Sequence, residues 1–198
     1  LRTFVHISAY QSERQIIEFS NFLLGEISKN QPLQEVLQHL VDEMYKLYPL
    51  IHLSICLLDD DERQLHPVVG STPTSYDQML DGRIFIGENV GSCGAAAFWG
   101  REVFVGDIAT HPNWVGYRDL ALSHGLRACW ATPLKTQNGR VLGTFAVYFE
   151  EPCQIIPDAL REWVNNLSAL ALIAIEVNKR NEELATFSGT LLRAETIG

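Results

Sequence analysis

The chain has 198 residues, 46% of them hydrophobic and 20% charged, with a formal net charge of −9 and a pI near 5.1. That length supports one full hydrophobic core, and an acidic chain without clustered Lys and Arg excludes nucleic acid as its partner. No apolar run reaches the length of a membrane span and no signal peptide is evident. The four cysteines, Cys56, Cys93, Cys129 and Cys153, include no CxxC pair, so a zinc knuckle is not expected and the thiols are read as reduced, in the cytoplasm.

In chain order, Leu1 to Ala9 reads as a short strand running into a polar helix over 10–28, where Ile16, Phe19, Leu23 and Ile27 form a narrow stripe. Pro32 can open the next helix at its first position. There Leu33, Val36, Leu37, Leu40, Val41, Met44, Leu47 and Tyr48 make a wide apolar face, and Pro49 stops it. Ile51 to Leu58 is the first core strand. The acidic turn Asp59-Asp60-Asp61-Glu62 follows and reads as a solvated tip rather than a cation site. Gln64 to Val69 returns as a strand that Pro67 marks as an edge.

Thr74 to Leu80 is a short helix or loop. Small residues from Gly91 to Ala97 let a helix start close against backbone, with Ser92 as N-cap and Gly100 as its end. Glu102 to Val105 is a short strand, Asp107 to Trp114 a polar-aromatic loop, and Val115 to His124 a helix ending at Gly125. Two apolar runs then flank Asn138-Gly139, a pair suited to a two-residue turn because both central positions take positive φ. Val141, Gly143, Phe145, Val147 and Phe149 share one face of the second run, and Leu142, Thr144, Ala146 and Tyr148 the other. Apolar groups on both faces place this hairpin at the centre of a covered sheet. Pro157 opens a long last helix whose Trp163, Leu170, Val177, Leu184 and Leu191 are seven apart, with Leu160, Leu167 and Ala174 as a second seam. Such a stripe calls for a partner helix, from this chain or a second copy, and Ser188-Gly189 is expected to fray or end it.

Gly91-Ser92-Cys93-Gly94-Ala95-Ala96, then Val103, Asp107, Pro112 and Trp114, then Gly125, Arg127, Ala128, Trp130 and Pro133, then Leu142-Gly143-Thr144-Phe145 together resemble a GAF domain. The subgroup resembled is that of bacterial multidomain signalling proteins carrying PAS domains and cyclic-di-GMP-turnover or histidine-kinase outputs. The resemblance implies an α+β fold: a central antiparallel sheet, N- and C-terminal helices on one face and pocket loops on the other. It divides the chain into 1–30, the end of a preceding domain and a linker; 31–180, the GAF domain; and 181–198, a helix toward an output domain. The V-x-I-S of the first strand resembles the last strand of a PAS domain, or is incidental.

What the resemblance implies is a non-enzymatic regulatory sensor module, a homodimer through its terminal helices without membrane insertion. Trp163, Leu167, Leu170, Ala174 and Val177 are the expected dimer residues. Its pocket would involve Cys93, Asp107, His111, Trp114, His124, Arg127 and Trp130, binding a small-molecule ligand. Each of these has a plainer reading. Cys93 is a small residue where backbone comes close. Asp107 caps its loop or lines the pocket, and Arg127 holds an anion or pairs with Asp107. His111 fixes the loop or ligates haem, and His124 sits at a helix C-terminus, where the dipole favours it. Trp114 and Trp130 stack on a ligand or plug the pocket, the latter leaving a ligand-free spacer. Haem is disfavoured, and bilin is not expected because no Cys-His neighbours occur. Two further uses occur in the family. The cyclic-nucleotide motif is absent. Free methionine sulfoxide reductases share the G-x-C-G motif of Cys93, but their further cysteine has no counterpart in the His111 to Tyr117 stretch.

Overall fold

The computed structural model describes residues 9–29, 31–59 and 61–196. The elements are α1 (Ala9–Ser28), α2 (Leu33–Leu47), β1 (Ile51–Leu58), β2 (Gln64–Gly70), α3 (Thr74–Leu80), β3 (Ile84–Phe85), α4 (Cys93–Trp99), β4 (Val103–Val105), a 3-10 turn (Pro112–Trp114), α5 (Arg118–Ser123), β5 (Ala128–Lys135), β6 (Val141–Phe149) and α6 (Asp158–Thr196). The strands make one antiparallel sheet in the order β3-β2-β1-β6-β5-β4. β6 lies at its centre, as its two-sided apolarity requires.

The sheet separates two cores. On one face α1, α2 and α6 bury Leu23, Leu37, Leu40, Met44 and Trp163 against Leu53, Ile55, Trp130, Phe145 and Val147. On the other, α3, α4, the 3-10 turn and α5 bury Tyr76, Cys93, Ala96, Trp114 and Ala121 against Cys56, Cys129, Ala131, Ala146 and Tyr148. Strand period two sorts the residues: Trp130 and Cys129 are neighbours in sequence and belong to different cores.

Several expectations change. The predicted first strand falls on residues outside those described, except that Ala9 already begins α1. Pro32 is the residue before α2 rather than its first. β2 is not an edge strand: β3 pairs with Gln64 and Leu65, and Pro67 is accommodated where the β1–β2 register slips between Ile55 and Cys56, a bulge that spares a ladder hydrogen bond.

The β5–β6 turn is wider than two residues. Gly139 N–H donates to Thr136 C=O at 3.0 Å and Thr136 N–H to Arg140 C=O at 2.9 Å, and Gly139 has φ 89° while Asn138 keeps negative φ. This is a turn closed by one left-handed glycine, with a bulge next to it. The bulge shifts the register between Leu134 and Lys135. Leu142 therefore joins the helix-side core and Val141 packs on the opposite side, reversing the faces expected for those two. From Gly143 onward the expected alternation holds. Finally, α6 runs unbroken through Ser188 and Gly189.

Candidate functional site

The second core is where a pocket would lie, and it is nearly full. α4 begins at Cys93, and Gly94 packs so closely that an added Cβ would meet the Phe85 carbonyl at 2.3 Å. Gly94, Ala95, Ala96 and Ala97 are all buried, so the small-residue run does hold a helix tight against backbone. Ser92 precedes this helix without capping it. Its hydroxyl donates to the Cys129 carbonyl at 3.4 Å and accepts from Trp114 Nε1 at 3.3 Å. The indole is 3% exposed and meets Tyr148 and Tyr117 edge-on, at centroid distances of 6.4 and 6.5 Å. Tyr148 in turn meets Tyr76 edge-on at 5.7 Å. What remains between Tyr76, Ser92, Cys93, Trp114 and Tyr148 is a cavity of about 20 Å³, room for about one water molecule. The aromatic side chains of the protein fill the space a ligand would take.

Polarity is low there. Burial pushes the Tyr76 and Tyr148 phenols and the Cys129 thiol well above their ordinary ranges, since the charged form is poorly solvated. Burial also raises the Asp77 carboxyl, one oxygen of which takes the Thr72 hydroxyl at 2.5 Å while the other has no partner.

The expected site residues divide. Cys93 and Trp114 line the cavity. His111 does not: its Nδ1 accepts from Asn113 N–H at 3.3 Å and its carbonyl takes Arg118 Nη2 at 3.1 Å, so it fixes the loop. Asp107 Oδ1 accepts from Ala109 N–H at 3.0 Å and lies 3.6 Å from Arg127 Nη2; the two hold the loop to β5. His124 ties α5 to α3. Its Nε2 bonds Ser75 Oγ at 2.9 Å, its Nδ1 bonds the Leu120 carbonyl at 2.9 Å, and its ring meets Tyr76 at 5.6 Å. With both His124 nitrogens and the His111 Nδ1 engaged, and a cavity of about 20 Å³ that neither histidine lines, these residues do not fit a haem. Among the described residues no group of three or more His, Cys, Asp or Glu is placed to hold a metal ion. In the acidic turn Asp59 Oδ1 accepts from the Arg63 and Gln64 N–H groups at 2.8 and 3.2 Å, and Glu62 Oε1 accepts from Arg140 Nε at 2.9 Å.

Trp130 is not a pocket residue. It is 1% exposed on the helix face, its Nε1 donates to Glu102 Oε2 at 3.1 Å, Arg161 lies over its ring at 4.9 Å, and Arg161 Nη1 reaches the same carboxylate at 2.6 Å. Cys129 and Ala131 take the pocket side, as alternation along β5 dictates. Tyr76, Tyr148, Cys56 and Cys129 are pocket-side residues that sequence reasoning missed. The alternation of Cys56 with Ile55 and Leu57, and of Tyr148 with Val147 and Phe149, was the signal that carried them.

The expected dimer residues are also displaced. Trp163, Leu167, Leu170 and Ala174 are 2%, 1%, 7% and 4% exposed, packed within this chain against α1, α2 and the sheet. Val177 is half-buried in a cleft beside Ile27 and Val36. The partner helices for this half of the stripe belong to the same chain.

Residues 30–176 match the family described as GAF domain. A curated relative, the "Methyl sulfide methyltransferase-associated sensor" of Methanosarcina acetivorans, is 32% identical over 171 residues; the match covers 86% of this chain and 17% of that protein, so the chain spans under a fifth of its length. Among solved structures, the free methionine-R-sulfoxide reductase of Neisseria meningitidis in complex with its substrate superposes with a TM-score of 0.68 at 17% identity, covering 90% of this chain and 97% of that one. A GAF domain of a phosphoenolpyruvate-protein phosphotransferase from Coxiella burnetii gives 0.66 at 15% identity, covering 85% and 96%. A domain of a sensor histidine kinase from Sinorhizobium meliloti gives 0.60 at 16% identity, covering 78% and 98%. These likenesses concern the fold. With three-quarters of its length matched, this chain belongs to the GAF domain family.

Proposed function

We propose that the chain is a non-enzymatic regulatory module of a cytoplasmic signalling protein, which dimerises and passes changes in its packing along α6. The observation that carries this reading is α6 itself. It runs 39 residues, roughly 58 Å at the α-helical rise, and the globular core uses only the part up to Ile175. Beyond that it presents Leu184 and Phe187, 59% and 64% exposed; with Ile173, 40% exposed, they lie within an arc of about 60° at 100° per residue. A helix with a buried first half and an apolar stripe on its outgoing half suits a second copy of itself. The curated relative is named a sensor, which supports the same reading. Four unpaired cysteines suit a reducing compartment.

The narrow cavity supports the non-enzymatic part. Methionine sulfoxide does not fit a space of about 20 Å³. That closure also favours a second reading, a spacer that dimerises and binds nothing.

Light scattering tests the module. The chain is expected to be a dimer, and a chain carrying Leu184→Lys and Phe187→Lys together a monomer with an unchanged circular dichroism spectrum, because neither residue touches the core. A double variant that stays dimeric would overturn the helix-coupled reading.

A further inference from the structure

On the helix side of the sheet α1 and α2 enclose a cleft of about 470 Å³, within the size range of small-molecule sites. The cavity on the opposite side holds about 20 Å³. Each helix gives one face to the cleft. Glu18, Phe19 and Phe22 share a face of α1, and His39, Asp42, Glu43 and Lys46, spaced i, i+3, i+4 and i+7, share a face of α2. Trp163 of α6 lines it too. Phe22 stacks on Phe19 at a centroid distance of 6.2 Å and meets His39 of the facing helix at 5.8 Å. Phe22 is nonetheless 50% exposed, a large ring with aromatic neighbours at its sides and no cover.

We propose that this cleft binds a small monocationic ammonium ion carried on an apolar body, with the apolar part against Phe19, Phe22 and Trp163 and the charge toward Asp42. The lining selects the sign of the ligand. It carries three carboxylates, Glu18, Asp42 and Glu43, against one ammonium, Lys46. Lys46 Nζ is bonded to Glu43 Oε1, and Glu18 Oε1 takes Arg14 Nε at 2.7 Å from outside the cleft. Asp42 Oδ1 takes only the neutral amide of Gln38, at 2.8 Å, and forms no ion pair among the described residues. One carboxylate is thus left for one cation. The faces of aromatic rings attract a cation through their quadrupole, and a net charge of −9 opposes the approach of anions.

A ligand seated there touches α1, α2 and α6 at once. The site therefore lies in the helical layer, apart from the filled cavity around Trp114, and the closure of that cavity has no bearing on it. Dimerisation does not enter the argument either, so this binding and the regulatory reading above stand or fall separately.

The test is titration of the whole 198-residue chain, isotope-labelled, with phenethylammonium near neutral pH, followed by nuclear magnetic resonance at the tryptophan indole N–H signals. Phenethyl alcohol and phenylacetate, close in shape but neutral and negative, are the controls. The ammonium is expected to shift the Trp163 signal saturably and to leave unmoved that of Trp114, which belongs to the other core. It should bind about tenfold more tightly than the alcohol, the scale of an exposed cation–π contact added to an exposed ion pair, and phenylacetate should not bind. Phe22→Ala should weaken the ammonium about tenfold. Asp42→Asn should weaken it roughly two- to fivefold and leave the alcohol unchanged. Both side chains are exposed, so the circular dichroism of the variants should match wild type. Equal affinity for ammonium and alcohol, a shift at Trp114 in place of Trp163, an ammonium affinity that neither substitution changes, or no saturable shift with any of the three compounds would refute the proposal. The wild-type titrations decide by themselves, so a variant that fails to fold leaves the test intact.

Discussion

Trp114→Ala is expected to destabilise the domain by about 3–5 kcal/mol, the range seen when a buried large aromatic is truncated, and indole is expected to restore part of the loss. The indole ring is 3% exposed between Tyr148 and Tyr117, and its nitrogen donates to Ser92. Removing it leaves a hole of its own shape, lined by aromatic carbon and one hydroxyl acceptor. Free indole can fill the ring's place and repeat the hydrogen bond. Ligand that binds only the folded state raises stability by RT ln(1 + [L]/Kd), about 2.7 kcal/mol at a hundredfold excess over Kd. Thermal melts of Trp114→Ala with and without indole measure both quantities, with wild type as control. A midpoint unmoved by indole would show that the site collapses rather than opens, and would count against any ligand occupying this space.

Gly143→Ala is the second large effect, expected to cost roughly 4 kcal/mol, at the top of what single substitutions do. Gly143 lies at the centre of the sheet, between Leu57 on β1 and Leu134 on β5. A Cβ there would stand 2.2 Å from the Cys56 carbonyl oxygen and 3.3 Å from the Leu57 Cα. Both obstacles are backbone in the same sheet, so relief means prising β1 from β6 rather than turning a side chain. Gly25→Ala is the contrasting control: its Cβ meets nothing within 4 Å and it is helical, where alanine is favoured by about 1 kcal/mol. Urea unfolding of the two variants should move in opposite directions. A Gly143→Ala midpoint close to wild type would mean that the β1–β6 pairing is looser than its register indicates.

The fold was legible because its signals are periodic. The wide stripe of α2 from Val36 to Met44, the two-sided β6 and the glycines at 100 and 125 each specify local structure and agree with one another. The candidate site was harder to read, for reasons that follow from particular residues. Tyr76, Cys93 and Tyr148 are far apart in sequence and line one cavity only because α3, α4 and β6 meet on the same side of the sheet. Trp130 and Arg127 stood near Trp114 in the motif order, yet motif order carries no face. Counting by two along β5 from Cys129 sends Trp130 away from the pocket. The heptad stripe of α6 was real, but period alone does not distinguish an intramolecular partner from a second copy. Trp163 to Ala174 found theirs in α1, α2 and the sheet. The turn at Asn138-Gly139 was located correctly and typed wrongly, because the Thr136–Arg140 hydrogen bonding sets a bulge that a dipeptide signal does not contain.

The back-to-back placing of Cys129 and Trp130 has a mechanical consequence. On one side of the sheet Trp114 donates to Ser92, and Ser92 donates to the carbonyl of Cys129. One residue on, and on the opposite side, the Trp130 ring nitrogen grips Glu102, which Arg161 in the opening turns of α6 also grips. β5 thus carries a polar tie on each side, Ser92 with Trp114 on one and Glu102 with Arg161 on the other, so two adjacent residues of a single strand join the start of α4 to the root of a helix roughly 58 Å long.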